Sequence, residues 1–476
     1  MYLLSSTLPS LRQLTPTIST LAVLSFHGLQ LPWLGHPSQS GFTGGRLGLS
    51  LVVVFKKAKA SKKMTTHPRT NHGIRKSEVI VQLIKEIADF RRFFRRTPKA
   101  ERAIVFYAEH EGYYPYFEGL IKKLISEHNQ TLCYVTSDPE DPILQETQSK
   151  IRTFYLNKLL ALFMAHVNCK VFVMTLTDLN QFHLKRSLNP VHYVYVFHAL
   201  VSTHMIYRYG AFDHYDSILC CGPHQAKEIR RHEELYGLPA KTLKAAGYYR
   251  LERIYQAYQK YSSEKSPSVT KETVLIAPSW GVANILESCG ERLVELLLKE
   301  GYEVIVRPHP ETIRRSPDLV SVFASEFGNN PSFTLETSVA SDGSLLSADV
   351  LISDYSGIAL EYAFGTERPV LFLDVPNKIR NQRYRELGIE PLELSLRSEI
   401  GVVVSPKELE SVPQMISDLI LNRVAYKKKI AELRNAYVYD FGHSSEIGAE
   451  YIVNIVGGME ENIAGATTAD VPRSQI

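Results

Sequence analysis

The first 63 residues contain no aspartate and no glutamate, yet they carry Arg12, Arg46, Lys56, Lys57, Lys59, Lys62 and Lys63. The whole 476-residue chain has 54 lysines and arginines against 50 acids, a formal charge of +4, so without those seven cations the remainder stands at −3. The basic character belongs to the leader, and nucleic acid binding loses its main electrostatic support. Cysteine is scarce: Cys133, Cys169, Cys220, Cys221 and Cys289 are odd in number and show no C-x-x-C spacing. That excludes a disulfide framework and a zinc ribbon, and the five are expected to be reduced core residues of a cytosolic protein. Long apolar runs are missing too. LAVLSF and LSLVVVF fall far short of the roughly 20 residues that span a bilayer, so no transmembrane helix is expected. Also absent are a phosphate loop, a GxGxxG after the first strand, HExxH and a GxSxG elbow, and nothing calls for a metal or a cofactor.

What is present is a globular composition, 44% apolar and 22% charged, on a chain long enough for two domains with tails. Residues 1–63 are expected to form a disordered basic extension. On composition they could serve as a targeting peptide, but the preferred reading is an upstream extension ahead of a functional start at Met64. Over 64–99, Ile80, Leu83, Ile84, Ile87, Phe90 and Phe94 recur at three- and four-residue steps, which predicts an amphipathic helix ending in Arg91, Arg92, Arg95 and Arg96. Two readings stand side by side. The helix lies on a membrane surface, with Phe93 and Phe94 in the acyl boundary and the four arginines on headgroups, or it packs on the first domain.

From residue 100 the pattern alternates. AIVFYA, TLCYVTSD, KVFVMTL, VHYVYVF and DSILCCG read as short buried strands separated by helical or polar segments. After a polar linker at 259–273, VLIAPSW, YEVIVRPHP, SFTLE, ADVLISDYSG and PVLFLD repeat the alternation, and 406–456 read as helical. The expected fold is α/β: two Rossmann-like domains, 100–258 and 274–456, whose parallel sheets face a cleft, and then a disordered tail at 457–476.

Ligands of open parallel sheets bind beyond the carboxyl ends of the strands. Three such ends carry suitable chemistry. VLIS runs into Asp354-Tyr355-Ser356-Gly357, where Ser356 can cap a helix and Gly357 lets a ligand approach the backbone; a phosphate suits that helix start, although capping alone would also explain the serine. YEVIVRPHPE puts Arg307 at a strand end and holds His309 between Pro308 and Pro310 on a stiff loop, fit to bind a diphosphate. VHYVYVF runs into His198, an imidazole able to act as general base, whereas His192 lies within the strand pattern and reads as structural.

With these residues in place, the chain from Met64 to about Val456 resembles the CDP-glycerol glycerophosphotransferase family, the teichoic-acid primases and polymerases. The resemblance rests on His198, FDHYDSILCCGPHQAKEI, Gly247-Tyr248-Tyr249-Arg250, Ala277-Pro278-Ser279-Trp280, Arg307-Pro308-His309-Pro310 and SADVLISDYSGIALEYAFGTERPVLF, in family order. It implies a glycosyltransferase-B fold, with 100–258 as acceptor domain and 274–456 as donor domain. It also implies His198 as base on the acceptor hydroxyl and His309 on the donor diphosphate. Arg307, Ser353, Ser356 and Gly357 become candidates for the donor phosphates, and Pro278, Ser279, Trp280 and Glu361 further candidates for the donor site. The implied partners are a CDP-linked polyol donor and a lipid-linked or glycan acceptor, at the inner face of a cell membrane. The sequence departs from the family pattern in four places. Phe197-His198-Ala199 replaces Trp-His-Gly, Gly357 replaces a second serine, Glu361 replaces Asp, and Tyr249-Arg250-Leu251-Glu252 replaces Pro-Arg-x-Asp. A nucleotide-sugar glycosyltransferase of the same fold, or a nucleotide-binding relative without turnover, are the alternatives.

Overall fold

Strands β1 (Ile104–Ala108) and β2 (Leu132–Thr136) are buried at every residue, as continuous apolar runs must be when helices cover both faces of a sheet. They belong to a computed structural model that describes residues 76–146, 149–264, 271–338 and 341–458. The expectations for 1–63, for 265–270 of the linker and for 459–476 of the tail lie outside the described residues, while 259–264 of the expected linker continue the helix Tyr249–Glu264.

Five further strands complete the first sheet: β3 (Ile151–Tyr155), β4 (Val171–Met174), β5 (His192–Val196), β6 (Ser217–Cys220) and β7 (Thr242–Ala245). Their order is β3-β2-β1-β4-β5-β6-β7, all parallel. The second sheet contains β8 (Thr273–Ile276), β9 (Glu303–Val306), β10 (Phe333–Leu335), β11 (Val350–Ser353), β12 (Val370–Leu373) and β13 (Gly401–Val404), in the order β10-β9-β8-β11-β12-β13 and again parallel. Each order reverses once, between β1 and β4 and between β8 and β11. A crevice opens at such a reversal because the flanking connections leave to opposite sides.

Two helices tie the halves together. Tyr249–Glu264 leaves the first sheet, and its Leu251 and Ile254 lie against Gly365 of the helix Gly357–Thr366, where an added Cβ would come within 2.6 Å of Ile254. The last helix, Ser444–Gly457, returns to the first sheet, burying Ala449, Ile452 and Ile455 in one cluster with Ile104, Phe106 and Leu120. The expected donor domain at 274–456 therefore gives up its final helix to the other half.

The N-terminal helix Lys76–Arg91 packs on the first sheet in an unexpected orientation. β3 is an edge strand, and the backbone beyond it has amides with no neighbouring strand to accept from them. Buried Asp89 accepts from the Tyr155 amide at 2.9 Å, and buried Glu86 from the amides of Asn157 and Leu159 at 2.6 Å each. The acidic side of the helix thus faces inward, and Ile80, Val81, Leu83, Ile84 and Ile87 are exposed. The aromatic doublet does not face lipid. Phe93 is fully buried against Phe154 and Phe163, and Phe94 packs on Phe163, so both anchor the helix to the core. Arg92 is likewise held, by Asp89 at 2.7 Å and over the Phe154 ring. Arg91, Arg95 and Arg96 are exposed. Among the described residues no helix is long and apolar enough to cross a membrane.

Candidate active site

The reversal in the second sheet joins two strand ends that are distant in sequence. Asp354, just beyond β11, is fully buried and accepts from the Ser279 amide and hydroxyl, both at 2.8 Å, just beyond β8. Ser353 is also fully buried and donates to the Ala277 carbonyl at 2.7 Å. These contacts pin the loop after β8 to the loop after β11. They also correct two expectations: the hydroxyls of Ser353 and Ser279 are spent within the protein, and Pro278 is buried beside them. Ser356, in contrast, has the extended backbone of an N-cap but makes no side-chain cap hydrogen bond. Half-buried at the start of the helix Gly357–Thr366, it presents a hydroxyl next to backbone amides that have no intrahelical acceptor.

Glu361 is redirected as well. It is 4% exposed and accepts from Arg250 Nε at 2.9 Å and from the Tyr248 hydroxyl at 2.7 Å, both just beyond β7 of the first sheet. Arg250 also reaches Asp342 at 3.2 Å. Arg307, 5% exposed, bonds Ser344 at 3.0 Å and lies 3.8 Å from Glu336. Arg307 and Glu361, both expected at the donor, are thus buried among protein charges, with Arg250 and Asp342 within electrostatic range of Arg307. Sequence patterns cannot distinguish a strand-end arginine facing a ligand from one folded beneath the loop.

His309 keeps its place. As N-cap of Pro310–Arg315, its Nδ1 accepts from the Glu311 amide at 3.1 Å, so the ring proton sits on Nε2, which is left to donate. Burial, with the nearby Lys378 ammonium adding to it, pulls its pKa down to about 4. His198, at the end of β5, lies within electrostatic range of His309. Burial lowers its pKa to about 4, the backbone of Thr175 partly offsetting this, and its Nδ1 is buried without a hydrogen-bond partner among the described residues. Tyr113, Tyr116 and Tyr207 stand edge-on around the His198 ring at 5.8, 6.2 and 6.0 Å. The two halves close tightly beside it, since a Cβ on Gly357 would lie 3.3 Å from both Ala199 Cβ and Val201 Cγ1.

Further residues beyond strand ends make contacts that the apolar runs alone do not reveal. His110, beyond β1, accepts from the Gly112 amide through Nδ1 at 3.1 Å, the same cap geometry as His309. The strand-end rule, applied evenly, would have flagged it. Trp280, beyond β8, is stacked by Lys378 from the loop after β12, with Nζ 3.0 Å from the ring centroid, and by Arg315 at 4.7 Å. Among the described residues no cluster of three or more His, Cys, Asp or Glu side chains is arranged to hold a metal ion.

Residues 89–385, more than half of the chain and spanning His198, His309 and Ser356, match the family described as CDP-glycerol:poly(glycerophosphate) glycerophosphotransferase. The chain belongs to this family. It is accordingly a transferase of the CDP-glycerol glycerophosphotransferase group. Among solved structures it is similar to the wall teichoic acid polymerase TagF, at 14% identity and a TM-score of 0.52, covering 81% of this chain and 100% of that one. A TagF variant soaked with CDPG gives the same identity and TM-score, covering 81% of this chain and 96% of that one. At that identity the likeness establishes the fold, two Rossmann-like domains of the glycosyltransferase-B type. No curated protein sequence matches.

Proposed function

We propose that this family member transfers glycerol phosphate, or a related polyol phosphate, from a CDP-linked donor to a hydroxyl of a membrane-linked glycan or lipid, releasing CMP. The observation that carries the reading is the pair His198 and His309, one from each half and close enough to interact electrostatically, with the helix start at Ser356-Gly357 packed against Ala199 beside His198. At neutral pH both imidazoles are uncharged. His198 takes the proton of the acceptor hydroxyl, whose oxygen attacks the phosphorus bearing the polyol. The bond from that phosphorus to the oxygen shared with the CMP phosphate breaks, and CMP leaves with the electron pair. His309 donates its Nε2 proton in a hydrogen bond to a phosphoryl oxygen, and Ser356 with the amides near Gly357 supports the same charge. A bound diphosphate raises the proton affinity of His198, since nearby negative charge favours imidazolium.

The exposed apolar stripe Ile80, Val81, Leu83, Ile84 and Ile87, continued by Arg91, Arg95 and Arg96, suits the interface of an anionic membrane at its inner face, where a lipid-linked acceptor would be met. Flotation with phosphatidylglycerol vesicles tests this: Ile80→Asp with Ile84→Asp should release the protein. Retained flotation would remove the membrane role.

Thermal stabilisation by a panel of nucleotide-linked donors tests the chemistry, because a ligand bound only by the folded state raises its apparent stability. CDP-glycerol or another CDP-polyol should stabilise the protein. Stabilisation by UDP-sugars alone would replace this reading with a glycosyltransferase.

A further inference from the structure

Three loops from the second sheet converge on one indole ring. Trp280 comes from the end of β8, Arg315 from the helix beyond β9 and Lys378 from the loop after β12. The ring centroid of Trp280 lies 6.2 Å from that of His309. Arg315 already has a carboxylate partner, since Glu311 accepts from its Nε at 2.6 Å, although it shares that carboxylate with Arg314 at 2.7 Å. The other nearby carboxylate, Asp354, is bonded to Ser279. Lys378 is half-buried, and no carboxylate pairs with it among the described residues. Its ammonium rests on the ring face alone.

An ammonium taken largely out of water and given only an aromatic face has a weaker partner than a phosphate oxygen would be. Lysine also carries its charge on a flexible stem with three donors, so it can leave the ring without moving the backbone. We propose that Lys378 is a mobile cation of the donor site, parked on Trp280 in the ligand-free enzyme and transferred to a phosphate of the nucleotide diphosphate when the donor binds. The move adds a positive charge beside His309 and uncovers the indole for the ligand. Burial, with Arg380 adding to it, already lowers the lysine pKa to about 7, which is consistent with a cation short of a counterion. The inference rests on the donor-site reading above.

The protein supplies its own probe, because it has two tryptophans, Trp33 and Trp280. In full-length protein carrying Trp33→Phe, emission reports Trp280 alone, and titration with CDP, inorganic pyrophosphate and cytidine separates phosphate from base. CDP and pyrophosphate should both alter the emission. Lys378→Met should weaken both by about tenfold or more, Lys378→Arg should keep most of the affinity, and cytidine should be indifferent to either change. Parent-like CDP affinity in a folded Lys378→Met protein would overturn the role of Lys378 while leaving the donor site intact. If the parent itself bound neither CDP nor pyrophosphate, the donor-site reading would fail and take this inference with it.

Discussion

Ala199 and Gly357 meet across the cleft: a Cβ built on Gly357 would sit 3.3 Å from the Ala199 methyl carbon. By the resemblance set out above, glycine is expected in place of Ala199 and serine in place of Gly357. The departures exchange volume across one contact. The Ala199 methyl lies against the space that a side chain at position 357 would take at the start of the helix Gly357–Thr366.

That exchange makes a quantitative prediction. Gly357→Ser should destabilise the protein by about 1–3 kcal/mol, the usual cost of overpacking, because Val201 Cγ1 also lies 3.3 Å away. Combining it with Ala199→Gly should recover part of the loss, seen in denaturant unfolding as a favourable coupling energy in a double-mutant cycle. Strict additivity would show that the two sites are independent.

The buried bridge between Arg250 and Glu361 should matter more than any exposed ion pair. Arg250→Met leaves the Glu361 carboxylate buried with only the Tyr248 hydroxyl, and should cost about 3–5 kcal/mol. Chemical denaturation measures it; a loss under about 1 kcal/mol, typical of surface pairs, would mean the bridge does not join the halves as described.

Glu86 predicts a local effect. Glu86→Ala removes the acceptor of two amides at the β3 edge, and should cost about 1–3 kcal/mol while increasing amide exchange at Asn157 and Leu159. Unchanged exchange there would show that the inward-facing acidic side does not anchor the helix.

Nucleotide binding should depend on pH through Lys378. Its pKa is held down to about 7, mainly by burial and then by Arg380 and Arg315, while Glu311 and Asp354 act in the opposite sense. The protonated form attracts phosphate, so CDP affinity should fall as pH rises from about 7 to 9, above the roughly pH 6 titration of the phosphate itself. His309, with its pKa at about 4, stays neutral across that range. In Lys378→Arg the decline should vanish.

Much of this site is legible in the sequence for one reason: buried parallel strands are continuous apolar runs, and the residues just past their carboxyl ends border the crevice. His198, His309 and Ser356 stand out that way. Two strands with no such signature, β3 and β7, are sheet edges, where residues need not be apolar, and β7 has no fully buried residue; β13, also an edge, does carry the apolar run Val402-Val403-Val404. The strand-end pattern locates Arg307 without giving the direction of its side chain, and the burial of Ser353 and Glu361, named through the resemblance, depends on contacts distant in sequence. For Phe93 and Phe94 the sequence leaves two readings open, because helical periodicity identifies an apolar stripe without saying which face the protein covers; their packing on Phe154 and Phe163 fits the second. The pairing of Trp280 with Lys378 depends on the order of strands within the sheet, which local pattern does not contain.

If His198 and His309 act together on one donor, as proposed, single-turnover release of CMP from CDP-glycerol depends on both imidazoles. With acceptor present, His198→Ala and His309→Ala should each slow release by about 100-fold or more, in proteins whose unfolding midpoints stay near the parent's. Release at the parental rate by folded His309→Ala protein would contradict the account.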